Sequence, residues 1–405
     1  MSLPRWSSRL LLLACATLLA LGAWEAALRL KWFKSLAIPA GIEHPQFHHR
    51  LKPLETYHYT SQEFDVEVRT NPFGLRGPDP SQPKAPGTVR ILMLGDSYTF
   101  GFPVRDEETF CALVERGLKA QGLPVEVVNA GVSGSSPTLH YLALRDQFLS
   151  FDPDLVILWF DLGDVQEDHW FQKNLLYDDA GRIARCDPRY INGRFSRWEW
   201  LRTHSALVKY LDTKLVRTVQ KIRVLGWRGY LGAKLRGERA KVAVARLKQE
   251  QLAPDLAEYD RFLLIRDALS DDAIQPYWEL TAGYLRMIHA LLAQRRIPFV
   301  IGFYPYGMLA GPDQWVPGRE FWGFESGRTY DASRAVGLLA RFAEEQDLPF
   351  VNTLEVFREA AKAEKLFYDQ DGHFTPAGHR VLAEALVRDP AVLSLLRRRV
   401  SRASR

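Results

Sequence analysis

The stretch Val89-Arg90-Ile91-Leu92-Met93-Leu94-Gly95-Asp96-Ser97-Tyr98 decides how the chain is read. Apart from Arg90, residues 89–94 are apolar without the alternation of a half-exposed strand, which is the pattern of a strand covered on both faces. The run stops at Gly95-Asp96-Ser97, a polar turn ahead of a helix. A serine there stands at the carboxyl edge of its strand, where open α/β sheets hold their ligands, and it can attack if a base reaches it. The same three residues also make an ordinary turn or helix cap, so the context must come from the rest of the chain.

Working outward, similar apolar runs occur at 125–129, 155–160, 299–304 and 350–352. Helical periodicity fills the intervals, over 109–119, at Leu280, Tyr284, Met287, Ile288 and Leu291, and at Val336, Leu339 and Phe342. Alternating strands and helices predict an α/β fold with a parallel sheet, and right-handed crossovers make it a three-layer α/β/α sandwich. The stretch 165–275 interrupts this rhythm and far exceeds the roughly 2–6 residues of a usual connection. We read it as a basic helical insertion. Within it, residues 194–248 hold 15 Lys or Arg against 3 Asp or Glu. Over 207–224, Leu207, Tyr210, Leu211, Leu215 and Val219 share one side, with Lys209, Lys214, Arg217, Lys221 and Arg223 mostly opposite. A solvated cap over the core is the expectation for such a helix; attachment to anionic lipid headgroups or an anionic glycan is the alternative.

At the N-terminus, an apolar run from Leu10 to Trp24 follows Arg5 and Arg9, and the segment continues to Phe33 with Glu25 and Arg29 one turn apart. It reads as a signal or membrane anchor over 1–33, with the catalytic domain on the far, periplasmic side; cleavage after Ala20-Leu21-Gly22 is the alternative to retention. Residues 34–84 read as a juxtamembrane segment in which His48, His49 and His58 are solvated, and 391–405 as a basic tail. The 405 residues are 47% hydrophobic and 25% charged, which is ordinary for a folded protein, and the net charge of +5 is too mild to argue for a nucleic-acid partner. Cys15, Cys111 and Cys186 are too far apart for a zinc ribbon, a CxxC redox centre or a disulfide framework.

Three more blocks could carry chemistry. Asn129-Ala130-Gly131-Val132-Ser133-Gly134 ends the second strand in residues that let backbone amides approach a ligand, and such amides can hold an oxyanion. The third strand ends in Asp161-Leu162-Gly163-Asp164. Near the C-terminus, Asp371-Gly372-His373-Phe374-Thr375-Pro376 puts an acid and a base on one loop, with Thr375 as N-cap and Pro376 as first residue of a following helix. His379 reads as a core or surface histidine, Cys111 as packed and Asp96 as a turn residue. Asp161, Asp164, Glu167 and Asp168 lack partner ligands for a metal, and no cofactor is expected.

Together these blocks resemble the SGNH, or GDSL-like, hydrolase superfamily over roughly residues 85–165 and 280–390. Thr70-Asn71-Pro72-Phe73-Gly74-Leu75-Arg76-Gly77 is similar to a leader found in anchored bacterial members. The resemblance implies a flavodoxin-like sandwich over 85–164 and 276–390, with Ser97 as nucleophile, His373 as general base and Asp371 as orienting carboxylate. It implies an oxyanion hole from the amides of Ser97 and Gly134 and a donor in the third block, where the family's asparagine is replaced by Gly163. The Asp-x-His spacing of Asp371 and His373 is similar to that of a branch that includes polysaccharide O-acetyltransferases. The expected activity is removal of an O-acyl group, acetate foremost, from a carbohydrate or lipid. Acyl transfer to a glycan, or a non-catalytic accessory role, are the alternatives.

Overall fold

Each of the five apolar runs is a strand in the computed structural model, which describes residues 5–32, 42–188, 205, 207–208, 211, 222, 227–228, 231–232, 235, 260–267 and 269–403. In chain order the strands are β1 (Ile42–His44), β2 (His48–Arg50), β3 (Thr56–Thr60), β4 (Asp65–Arg69), β5 (Val89–Gly95), β6 (Val125–Gly131), β7 (Leu155–Phe160), β8 (Leu175–Tyr177), β9 (Ile183–Cys186), β10 (Phe299–Phe303) and β11 (Phe350–Asn352). The central sheet is parallel throughout, in the order β11-β10-β7-β5-β6. From β5 the chain steps out to β6, then reverses across β5 to β7 and continues to β10 and β11. That is the flavodoxin-like order, and its switch point lies beside β5, between β5 and β7. Ser97 follows β5 and the Asp161–Asp164 block follows β7, so topology alone brings both to the crevice.

The reversal also assigns the layers, because right-handed crossovers in opposite directions fall on opposite faces. Helices Phe110–Ala120 and Pro376–Arg388 pack together on one face, and Pro137–Asp146, Asp164–Phe171 and Asp271–Gln294 on the other. β5 and β7 are buried along their whole length between them. Arg90, the charge in the β5 run, is also buried: it bonds to the carbonyls of Ser81 and Phe151 and to Glu126 at 2.7 Å. Its fork of donors is therefore satisfied, as burial demands.

Several expectations change. The segment 34–84 does not behave as a solvated linker where it is described: His48 and His49 are buried, β1 pairs with β2 and β3 with β4, and Leu51, Tyr59 and Val68 form a second small core with Phe100 and Phe102. Alternate residues of the β3–β4 hairpin face the sandwich, a short-range signal that a few polar residues conceal. His58 does remain exposed. The basic tail is a helix, Pro390–Ala403, with Val392 and Leu396 fully buried on one side. Both ends of 165–275 are built into the main core, through Phe171, Leu175, Cys186 and Phe262 to Ile265. The basic amphipathic helix expected over 207–224 lies mostly outside the described residues.

The N-terminal run is a helix, Arg5–Trp32, with Leu12, Leu13, Leu18 and Leu19 exposed. Among the described residues no helix is long and apolar enough to cross a membrane, so the expected anchor rests on the sequence run alone. Glu25 of this helix accepts hydrogen bonds from Ser205 Oγ at 2.8 Å and Leu207 N at 2.7 Å, which ties it to the interior of the insertion.

Gly131 shows how closely the nucleophile turn is packed. A Cβ at this position would lie 2.2 Å from the backbone nitrogen of Phe100. Backbone cannot move aside cheaply, so Gly131→Ala is expected to destabilise the fold by about 1–3 kcal/mol. A melting temperature unchanged from wild type would contradict this packing.

Candidate active site

Asp96 begins the site by capping the short helix Ser97–Phe100. Its Oδ1 accepts from Tyr98 N at 2.9 Å and from Tyr304 OH at 2.6 Å. Ser97 is therefore the first residue of a capped helix, where backbone N–H groups have no partner within the helix. From the far end of the chain, the loop before helix Pro376–Arg388 brings His373 to it: Nε2 lies 2.8 Å from Ser97 Oγ. On the other side of the ring, Nδ1 lies 2.6 Å from Asp371 Oδ1. A carboxylate can only accept, so Nδ1 carries the proton and Nε2 presents its lone pair to the serine hydroxyl. Thr375 caps the following helix, as expected, by accepting from Gly378 N.

The rings around this relay fix it. Tyr98 lies against His373 with centroids 4.7 Å apart, and its hydroxyl donates to Gly372 O at 2.9 Å, so the residue after the nucleophile also ties down the acid–base loop. Phe102 meets His373 edge-on at 5.1 Å. Burial opposes protonation of His373, but the charge and hydrogen bond of Asp371 outweigh it and hold the imidazole above its ordinary value of 6.5. Burial likewise works against the Asp371 carboxylate, and His373 holds it below the usual carboxylate range.

Two of the three expected oxyanion donors are available. Among the described residues, the amides of Ser97 and Gly134 have no hydrogen-bond acceptor. Gly163 is a correction: its N–H donates to Asp161 Oδ1 at 2.5 Å and is already used. The two-residue reach of an aspartate back to the backbone makes this local bond favourable wherever Asp-x-Gly turns after a strand. Beside Gly163 lies Arg261, from the end of the insertion. A Cβ on Gly163 would lie 2.6 Å from Arg261 Nη2 and 3.0 Å from Nε. The pattern around Arg261 carries no periodic or motif signal, so nothing in the sequence marked it.

The segment before the sheet reaches each of these loops. Glu63 accepts from Gln370 N at 2.9 Å and Asp371 N at 3.1 Å. His49 Nε2 lies 2.9 Å from Ser133 O, donating to it, and so holds the peptide that carries the Gly134 N–H. Arg76 donates to Phe100 O, Gly101 O and Val104 O beneath the nucleophile helix, and to Asp106 at 2.7 Å. Arg76 belongs to the leader-like motif; Glu63 and His49 had no such signal.

Acidic groups crowd the floor of the crevice. Burial, then the neighbouring Asp161, pushes Asp96 up to about 6. Burial is also the first cause that lifts Asp164 and Glu167 well above the carboxylate range. Asp164 accepts from Asp161 N at 3.0 Å, a loop tie. Asp168 accepts from Ser136, Thr138 Oγ1 and Thr138 N, and burial raises it to about 6. Among the described residues no three His, Cys, Asp or Glu side chains are grouped to hold a metal ion. His379 is a core histidine: it is fully buried, its Nδ1 accepts from Phe110 N at 3.3 Å, and burial lowers it to about 3. Cys111 is buried, and burial raises its thiol far above the reactive range.

Residues 93–289 match the model of the GDSL-like Lipase/Acylhydrolase family. No curated protein matches the chain. Solved structures similar to it include Axe2, an acetylxylan esterase from Geobacillus stearothermophilus, at 16% identity over 74% of this chain and 93% of that one, with a TM-score of 0.35. The acetyl xylan esterase AlAXEase is 13% identical over 73% and 97%, with a TM-score of 0.36. A structure named as a lipolytic protein of the G-D-S-L family, from Desulfitobacterium hafniense DCB-2, is 12% identical over 74% and 98%, with a TM-score of 0.35. The family match runs through Ser97, and His373 and Asp371 fold back onto that serine, so residues 93–289 carry a GDSL-like lipase/acylhydrolase domain.

Proposed function

We propose that this chain is an exported, membrane-tethered serine esterase that removes short O-acyl groups, acetyl foremost, from a carbohydrate or lipid. The observation that carries the reading is the continuous relay from Ser97 Oγ through His373 to Asp371, with contacts of 2.8 and 2.6 Å. An alcohol is a weak nucleophile until a base takes its proton. His373 Nε2 takes that proton as Ser97 Oγ bonds to the acyl carbon, and Asp371 stabilises the imidazolium that results. The carbonyl becomes an oxyanion, which the Ser97 and Gly134 amides can receive. Collapse breaks the ester bond, His373 protonates the departing alcohol, and the acyl group stays on Ser97. Water, deprotonated by the same imidazole, then releases the acid.

Support for the tether is the apolar helix behind Arg5 and Arg9, with leucines facing outward, and its bond through Glu25 to the start of the basic stretch. A stretch rich in Lys and Arg suits anionic headgroups. A second reading, transfer of the acyl group to a sugar hydroxyl, is favoured by the Asp-x-His turn, in which Asp371 Oδ1 takes both the ring and the backbone N–H of His373. The assembled relay favours a catalytic role over the non-catalytic alternative.

The detergent-solubilised chain is expected to hydrolyse 4-nitrophenyl acetate, and Ser97→Ala to lower kcat by more than about 10⁴-fold. Absence of turnover by wild type on short acyl esters counts against the whole reading. Because His373 must be neutral to act, kcat/KM is expected to rise with pH through a midpoint above 6.5. Asp371→Asn removes what raises it, so the midpoint should move down while kcat falls by about 10⁴-fold; an unmoved midpoint would show that Asp371 does not orient the base. Mass analysis after reaction with an acyl donor and an oligosaccharide separates the two activities: free acid alone excludes the transferase.

A further inference from the structure

We propose that Arg261 is the third oxyanion donor of this site, occupying the space that a side chain at position 163 would fill. The inference rests on the serine-esterase reading and adds to it a catalytic residue.

The need comes from the loop after β7. Asp161 and Asp164 carry carboxyl groups, Gly163 has no side chain, and the Gly163 N–H is spent on Asp161. A negative charge forming on the acyl oxygen in a crevice that also holds Asp96 and the ion-paired Asp161 meets repulsion that low-dielectric surroundings magnify. A donor is missing there, and a cation would be the most effective one.

The geometry places one in the vacant volume. In an asparagine the side-chain nitrogen sits roughly 2.4 Å from its own Cβ, from standard bond lengths. Arg261 Nη2 and Asp161 Oδ1 are each 2.6 Å, and Arg261 Nε 3.0 Å, from where a Cβ on Gly163 would be. The guanidinium, with the carboxylate that holds it, thus fills the place of a short amide side chain, and glycine at 163 is what admits them. Arg261 is also preorganised: its guanidinium lies 5.7 to 5.9 Å from the ring centroids of Phe262, Tyr306 and Trp322. Its Nη2 reaches Asp161 Oδ1 at 3.3 Å, and Asp161 is itself held by Tyr306 OH at 2.7 Å. Arg261 Nε is buried without a hydrogen-bond partner among the described residues. An unsatisfied buried donor costs stability unless a ligand or a transient charge engages it. Stacked rings and one weak ion pair leave the fork in place, with donors to spare, when the oxyanion forms.

The test compares the full-length wild type with Arg261→Met, which keeps the aliphatic stem among the rings, with Gly163→Asn, and with the double variant Gly163→Asn/Arg261→Met. Readouts are kcat and KM on 4-nitrophenyl acetate, binding of a boronic acid that forms a tetrahedral adduct on Ser97, and the melting temperature. Arg261→Met is expected to lower kcat by about 10²–10³-fold with KM little changed, and to weaken boronate binding in parallel. Gly163→Asn alone should also lose activity, because its Cβ meets the guanidinium. The double variant should regain at least about tenfold over Arg261→Met, since the amide then takes the vacated place. A purely structural arginine would not be rescued this way. Unchanged kcat in Arg261→Met, or no recovery in a double variant that melts like wild type, overturns the proposal. Should Arg261→Met fail to fold, Arg261→Lys decides: lower kcat at an unchanged melting temperature supports the proposal, and wild-type kcat overturns it. Failure of the esterase reading would show separately, as a wild type that neither turns over esters nor reacts at Ser97 with a serine-directed phosphonate.

Discussion

The hydrogen bond between Ser97 Oγ and His373 Nε2 joins residues 276 positions apart, and the rest of the structure serves to hold it at 2.8 Å. Proton transfer requires heavy atoms within about 2.6–3.2 Å, so neither loop can drift by an ångström without loss of chemistry. One end is set by the Asp96 cap and by Gly131, which lets the next strand come against the backbone of Thr99 and Phe100. The other is set by the Asp371 turn and by Tyr98, whose hydroxyl reaches Gly372 from the nucleophile helix itself. The nucleophile and its base are therefore tied together by a residue adjacent to each.

A second level of restraint comes from the chain before the sheet. Glu63, His49 and Arg76 each hold one of three loops: the acid–base loop, the oxyanion loop and the turn under the nucleophile. Loops at the carboxyl edge of a parallel sheet have few backbone partners of their own, since the sheet's hydrogen bonds end where they begin. Side chains from a separate layer supply those partners. This is why a segment with the composition of a linker is packed into a small core with Phe100 and Phe102. Phe64, from the same hairpin, stacks edge-on between Phe102 and Tyr368 and closes the layer over the acid–base loop.

The electrostatic background of the site is set by buried carboxyl groups. Several carboxyl groups lie in or near the crevice, and burial favours their neutral forms. For Arg261 burial works in the opposite direction, against its charge, and Tyr306, Asp161 and Glu167 outweigh it and strengthen the charged form. Partial protonation of the acids and the fixed guanidinium both reduce the repulsion that an oxyanion would meet. Charge in the site is balanced by the insertion, which links the longest interruption of the fold to the chemistry at its centre.

Much of this was legible in residue order. The five strands stand where the apolar runs stand, because a doubly covered parallel strand has no polar face to disguise it. Ser97, His373 and Asp371 could be chosen because turns after buried strands and a Thr-Pro helix start are short-range features that a sequence displays directly. What the sequence by itself determined is therefore the sheet, its layers and the loops on which Ser97, His373 and Asp371 stand as candidates. The tertiary structure alone decided which polar residues meet them. Gly163 loses its amide to a local turn, Arg261 enters from a patternless stretch, and His49 and Glu63 become supports of the site. Such contacts join side chains tens to hundreds of positions apart, and they follow from how layers stack, which no periodicity of 2 or 3.6 residues encodes.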